Sequence, residues 1–281
     1  MGKISYKAEI ESPTTVKDFL MKEKGVSRRL LTKLKRVPNG ITLNGRHIRS
    51  VDEIKNGDII TLTIEDEKFL DPNRGLEVPV SYETENVIVF NKPVNMPVHP
   101  SINHRFDTLG NAFAGLYPEL TFRPVYRLDR DTSGLCLIAK NQYSAKVLQG
   151  NIKKTYYAVV CGEIREAGTI DLPIVREQES VIIRTVREDG KPAITHYKPL
   201  QSNGKYTLLE ISLETGRTHQ IRVHFSYIGY PLAGDVLYNG DCSEIGSQAL
   251  HCGKIEFNEP VTDEKKTVIS EIRDDMKKLL L

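Results

Sequence analysis

The chain has 281 residues, 39% of them hydrophobic, and a formal net charge of +2, enough for one large domain and a small one with ordinary cores. No run approaches the roughly 18–20 apolar residues of a membrane span, and the opening MGKISYKAEIES alternates apolar and polar residues where a signal peptide would be apolar; a globular cytoplasmic protein is expected. Cys136, Cys161, Cys242 and Cys252 form no CxxC pair, which argues against a disulfide framework or a cysteine zinc site.

The charge is uneven along the chain. Between Pro13 and Gly57 eleven Lys or Arg face four Asp or Glu, a local charge of +7 that leaves about −5 elsewhere. Such clustering on a compact segment suits a phosphate-rich partner. Lys3–Ile10 alternates as a strand, and Val16–Lys24 and Val26–Val37 read as two short helices broken at Gly25, with Ser27 as a cap for the second. In that second helix Leu30, Leu31, Leu34 and Val37 recur at core spacing, while Arg29, Lys33 and Arg36 fall at i, i+4 and i+7 on another face. Pro38-Asn39-Gly40 ends the helix, Ile41–Leu43 starts a strand, and Asn44-Gly45 suits a two-residue hairpin turn. Gly57-Asp58 opens a further strand, IITLTIE. Two helices followed by a hairpin carrying GITLNGR resemble the RNA-binding domain of small-subunit ribosomal protein S-four. That resemblance implies a small α/β domain over residues 13–65 in which Arg28, Arg29, Lys33 and Arg36 contact phosphates, giving affinity with little sequence information.

Residues 66–79, DEKFLDPNRGLEVP, mix charges, two prolines and a glycine without periodicity and are expected to be a linker. Beyond it, strand-like runs VIVF, LCLIA, TYYAVV, VIIRTV and YTLLEISL alternate with helical candidates near 107–115, 141–151, 218–228 and 269–281. This predicts a mixed α+β domain over 80–281. No P-loop or GxGxxG fingerprint offers a seat for a nucleotide cofactor.

The polar loop in PVYRLDRDTSGLCLIAK, residues 124–140, precedes an apolar strand; by charge content alone it reads as a surface turn with mutual ion pairs. However, RLDRDTSG resembles the RLDxxTSG signature of the RluA/RluD-type RNA pseudouridine synthases. Four further blocks resemble family motifs in family order: VIVFNKPVNMPVHP (87–100), KKTYYAVVCGE (153–163), LETGRTHQIRVHFSYIGYPLAGDVLYNG (213–240) and ALHCGKIEFNEP (249–260). The resemblance implies a largely antiparallel sheet around a central RNA-binding cleft and a cofactor-free, metal-free, monomeric enzyme that isomerises uridine to pseudouridine in structured RNA. The S-four-like domain ahead of it suggests large-subunit ribosomal RNA, with transfer RNA the next choice.

Carried over position by position, the catalytic aspartate is Asp129, the active-site tyrosine is Tyr156, the arginine paired with the aspartate is Arg217, and the arginine entering the vacated base stack is Arg127. Alternation along KTYYAVV puts Tyr156, Ala158 and Val160 on one strand face and Tyr157 with Val159 on the other. Thr218 is expected to cap the helix to Ile228, placing Arg217 at its mouth, with Ile221, Phe225 and Ile228 on the buried side; a surface pairing of Arg217 with Glu214 is the alternative. His99, His219 and His224 are expected to be structural or RNA-contacting, and the five-residue spacing of the last two does not suit a metal site. The sequence departs from the family at Tyr126, where histidine is usual, and at Asn95, where glycine is usual; Asn tolerates positive φ and can keep the turn. Two competing readings are a non-catalytic RNA clamp for ribosome assembly and a glycosylase that releases uracil.

Overall fold

The computed structural model describes residues 2–26, 28–64, 70–178 and 182–281. It divides into two compact units, Met1–Lys68 and Phe69–Leu281. The expected cap Ser27, and the part of the expected linker over 66–69, lie outside the described residues.

In the first unit β1 (Gly2–Lys7) is followed by β2 (Thr14–Thr15), α1 (Val16–Asp18), a π-helical turn over Phe19–Glu23, α2 (Arg28–Leu34), β3 (Ile41–Leu43), β4 (Arg46–His47), β5 (Glu53–Ile54) and β6 (Ile59–Ile64). Thr15 caps α1 by accepting from Asp18 N–H at 3.2 Å. Gly25, at φ +64, breaks the helical pair. An antiparallel sheet in the order β1-β6-β3-β4 packs Ile41, Ile60 and Leu62 against Phe19, Leu20, Leu31 and Leu34. Asn44 and Gly45, at φ +49 and +81, turn β3 into β4 as a two-residue hairpin requires.

The second unit contains β7 (Val80–Glu83), β8 (Val87–Lys92), α3 (Leu109–Leu116), β9 (Ser133–Ala139), α4 (Gln142–Leu148), β10 (Lys153–Cys161), β11 (Gly168–Asp171), β12 (Ile174–Arg176), β13 (Arg184–Val186), β14 (Ile194–Ser202), β15 (Tyr206–Leu213), α5 (Gln220–Tyr227), β16 (Leu250–Asn258), β17 (Lys265–Ile269) and α6 (Asp274–Lys278). Among the described residues these strands form a nine-stranded sheet in the order β11-β14-β15-β10-β16-β9-β8-β7, with β17 on the far half of β16. All pairs are antiparallel except β9 with β16, so the fold is mixed α+β with a mostly antiparallel sheet. The interval 269–281, expected to be helical, ends a strand at Ile269 and forms only the short α6. Residues 70–79 run along α3, where the Asn111 side chain donates to Asp71 O at 2.8 Å and Asn73 N–H to Asn111 O at 3.0 Å.

Two features fix the loop between residues 126 and 133. Gly134, at φ +106, lets β9 approach β16 so closely that a Cβ there would sit 2.3 Å from Cys252 O; only glycine fits. The fully buried Lys92 at the end of β8 donates to Pro93 O, Met96 O and Arg130 O at 2.8, 2.9 and 2.9 Å. Its ammonium thus ties the 93–96 turn to the 126–133 loop with all three protons used, although burial pushes its pKa down to about 8. Asn95 holds that turn at φ +57.

Where β9 leaves the loop, Ser133 Oγ lies 2.8 Å from His251 Nδ1, and His251 Nε2 lies 3.1 Å from Ser270 Oγ. Arg273 donates to Ser133 Oγ and Ser247 Oγ, both at 3.2 Å, joining the C-terminal segment to the loop. Burial, with the Arg273 guanidinium beside it, brings the His251 pKa down to about 4. Because the unfolded imidazole titrates near 6.5, the unfolded chain takes up this proton first, and stability present above pH 6.5 is lost as pH falls toward 4. The expected loss from His251 is about 3 kcal/mol by pH 4. Denaturant unfolding over that range should show a shallower acid limb for His251→Gln than for the wild type; His99, His219 and His224, whose pKa values burial also lowers, keep part of the slope in both.

Candidate active site

Asp129 sits at the meeting of two open clefts of about 640 and 590 Å³, both lined by Pro97, Ser101, Asp129 and Arg130. Its backbone carbonyl accepts from Thr132 N–H at 3.1 Å, closing a turn that aims the carboxylate outward, and the side chain retains 29% exposure. Arg222 Nη1 donates to Asp129 Oδ2 at 3.2 Å. The same guanidinium grips Asp235 from the other side, Nε to Oδ2 at 2.7 Å and Nη2 to Oδ1 at 2.8 Å, and stacks 5.0 Å over the Tyr238 ring. Asp235 is 1% exposed. Burial opposes the charge on Arg222, but hydrogen bonds and charges from Asp235 and Asp129 outweigh it and raise its pKa. A permanently cationic fork therefore stands behind the Asp129 carboxylate.

Tyr156, 7% exposed, lines the same cleft as Asp129. Its face of β10 joins the main core with Ala158 and Val160, while Tyr157 and Val159 pack on the opposite side, as the alternation predicts. Burial, reinforced by Cys252 and Asp129, pushes the Tyr156 phenol well above its ordinary range, so it enters the site as a protonated donor. Tyr126 donates to Leu135 O at 2.8 Å and lies under the Lys154 ammonium, 4.9 Å from the ring centroid; its phenol braces the loop against β9. Arg127 is exposed on the cleft wall beside Asp129.

The expected pairing of Arg217 with Asp129 is corrected by the structure. Arg217 is exposed and its Nε donates to Pro192 O at 3.0 Å, although it lines the cleft with Asp129 and Tyr156. Its alternative partner, Glu214, is bonded to His196 Nε2 at 2.7 Å. The expected Thr218 cap is corrected too: α5 starts at Gln220, and the N-cap is His219, in a left-handed conformation at φ +57 without a side-chain cap. The Gln220 side chain organises the turn instead, accepting from Arg217 N–H at 3.0 Å and Thr215 Oγ at 2.9 Å and donating to Ile194 O at 2.9 Å. This turns Arg217 to the rim and brings Arg222, one helical turn further on, to the carboxylate. Ile221 and Phe225 are buried as expected. His224 is bonded to Thr195 Oγ and Leu172 O, both at 2.9 Å, and His99 packs edge-on against Phe122.

In the first unit Arg28, Lys33 and Arg36 are exposed; the Arg29 side chain lies outside the described set. Arg222, Asp235 and Tyr238 were not expected as site residues. The available signal was an arginine inside the apolar stripe of a helix, since a charge between Ile221 and Phe225 requires a buried partner.

The RNA pseudouridylate synthase family profile matches residues 86–227, which include Asp129, Tyr156 and Arg222. The chain belongs to that family. Among its relatives is an uncharacterized RNA pseudouridine synthase, YjbO, of Bacillus subtilis, 39% identical over 278 residues that span 95% of this chain and 98% of that one. Ribosomal large subunit pseudouridine synthase D of Pseudomonas aeruginosa is 34% identical over 266 residues, 85% of this chain and 82% of its own. The solved human RNA pseudouridylate synthase domain containing 1 superposes with a TM-score of 0.58 at 25% identity, covering 72% of this chain and 86% of that one. This synthase is thus an RluA/RluD-type isomerase acting on RNA. Among the described residues no helix is long and apolar enough to cross a membrane.

Proposed function

We propose that this synthase modifies uridines of large-subunit ribosomal RNA in the cytoplasm, with Asp129 as its nucleophile and residues 13–65 as an S-four-like RNA-binding domain joined through 66–79 to the catalytic domain. The observation that carries the chemistry is the partly exposed Asp129 carboxylate, backed by the buried Arg222–Asp235 pair and sharing its cleft with Tyr156. An Asp129 oxygen attacks C1′ of an extruded uridine, and the N1–C1′ bond breaks with its electron pair passing to the uracil ring. The ring rotates in place, C5 attacks C1′, the carboxylate leaves, and the proton lost from C5 is replaced by one gained at N1. A route through a sugar that first loses a proton uses the same carboxylate as base. Neither route consumes a redox equivalent or a nucleotide.

The ribosomal assignment is supported by the relatives named ribosomal large subunit pseudouridine synthase D and by the exposed cations Arg28, Lys33 and Arg36 on the basic first unit. Carbodiimide mapping of total RNA from cells lacking the gene, with and without the wild-type gene restored, tests it. Stops in large-subunit RNA should vanish and return with the gene. Stops that vanish only from transfer RNA would move the target there, and an unchanged map would refute activity on either.

A further inference from the structure

His219 has the backbone of a residue held against its preference. Its φ of +57 suits glycine or asparagine, and such conformations persist where surrounding contacts impose them. Here the contact is Tyr238, whose Oη lies 2.8 Å from His219 Nδ1 with the rings edge to face. The same Oη accepts from Arg184 N–H at 2.9 Å. A phenol has one proton to give, and with the backbone amide already donating to it, that proton goes to Nδ1. Nδ1 is then the acceptor, and the neutral imidazole carries its own proton on Nε2.

Nε2 lies 3.8 Å from Asp129 Oδ2, the oxygen that also receives Arg222 Nη1 at 3.2 Å. Burial lowers the His219 pKa; Asp129 and Asp235 raise it, Arg222 and Arg184 lower it, and the net direction is down, in keeping with a neutral ring. The 3.8 Å gap exceeds a hydrogen bond, and contacts of this kind tighten when substrate fills a site. Both donors approach Oδ2 and neither approaches Oδ1.

We propose that His219 is a positioning residue for Asp129, locked by Tyr238 in the tautomer that points its Nε2–H at Oδ2, so that Oδ1 is the attacking oxygen. The inference rests on Asp129 being the nucleophile, and the chain Arg184 N–H, Tyr238, His219, Asp129 makes the strained αL turn part of the chemistry. The backbone of β13 thereby sets the orientation of a carboxylate on a different loop.

The test has two arms. In the first, imidazole-labelled wild-type protein is examined by long-range proton–nitrogen NMR at neutral pH, where His219 should appear as the Nε2–H tautomer and lose that preference in Tyr238→Phe. A charged ring or an Nδ1–H tautomer in the wild type overturns the proposal. In the second, tritium release from total RNA labelled with [5-³H]uridine in a strain lacking the gene is measured at saturating RNA. Tyr238→Phe and His219→Asn, the latter chosen because asparagine accepts the αL backbone, should each slow release about 10-fold or more, the worth of a hydrogen bond to a charged group, with RNA affinity by filter binding unchanged. Wild-type rates in both variants overturn the proposal, as does a loss confined to affinity. Should Asp129→Asn release tritium at the wild-type rate, the nucleophile assignment fails instead, while the NMR arm still decides the tautomer without any activity measurement.

Discussion

Asp129→Asn is expected to reduce tritium release by about 10⁴-fold or more, the scale seen when a nucleophile is removed from a catalytic unit. The amide has nearly the shape of the carboxylate and its oxygen can still accept from Arg222, so the fold should hold. Arg222 keeps its bidentate partner Asp235, and no charge is stranded in the interior. RNA affinity should stay unchanged or rise slightly, because a negative charge leaves a cleft that receives phosphates. Filter binding beside the tritium assay separates the outcomes: lost turnover with intact binding supports the nucleophile, whereas retained turnover refutes it and favours the RNA-clamp reading.

Arg222→Gln is expected to damage both stability and turnover. It leaves Asp235, 1% exposed, without its bidentate cation, and breaking a buried pair by removing one partner costs about 3–5 kcal/mol, or about 10 °C in melting temperature for a unit of this size. Asp129 loses the same guanidinium, so turnover in the folded fraction should fall about 100-fold or more, the scale expected when a preorganised charge is removed from a site. Arg217→Gln is the control. Arg217 is exposed and gives one hydrogen bond to Pro192 O, so its loss should cost about 1 kcal/mol. Adding Asp235→Asn to Arg222→Gln should recover part of the stability but not the turnover, because it removes the stranded charge without restoring a cation to Asp129. Equal melting losses for Arg217→Gln and Arg222→Gln would contradict the pairing seen here.

Features encoded by neighbouring residues were legible in the sequence. Asn44-Gly45 specifies a left-handed two-residue turn, Asn95 accepts positive φ where glycine is usual, and the period of two along KTYYAVV assigns its tyrosines to opposite faces. The motif blocks indicated the family and directed attention to Asp129 and Tyr156, which the fold brings together on one cleft. Tertiary structure decided which arginine meets Asp129. The two candidates, Arg217 and Arg222, stand in the same nine-residue motif, and local spacing favours the one at the helix mouth. The left-handed His219 and the Gln220 side chain delay the helix cap by one residue and turn Arg217 to the rim. Arg222 must be buried for Ile221 and Phe225 to pack, and a buried guanidinium needs carboxylates, here Asp235 and Asp129, the latter 93 positions away. Dihedral preference acts between adjacent residues and can be read from them, whereas charge compensation acts through space and exists only once the chain has folded.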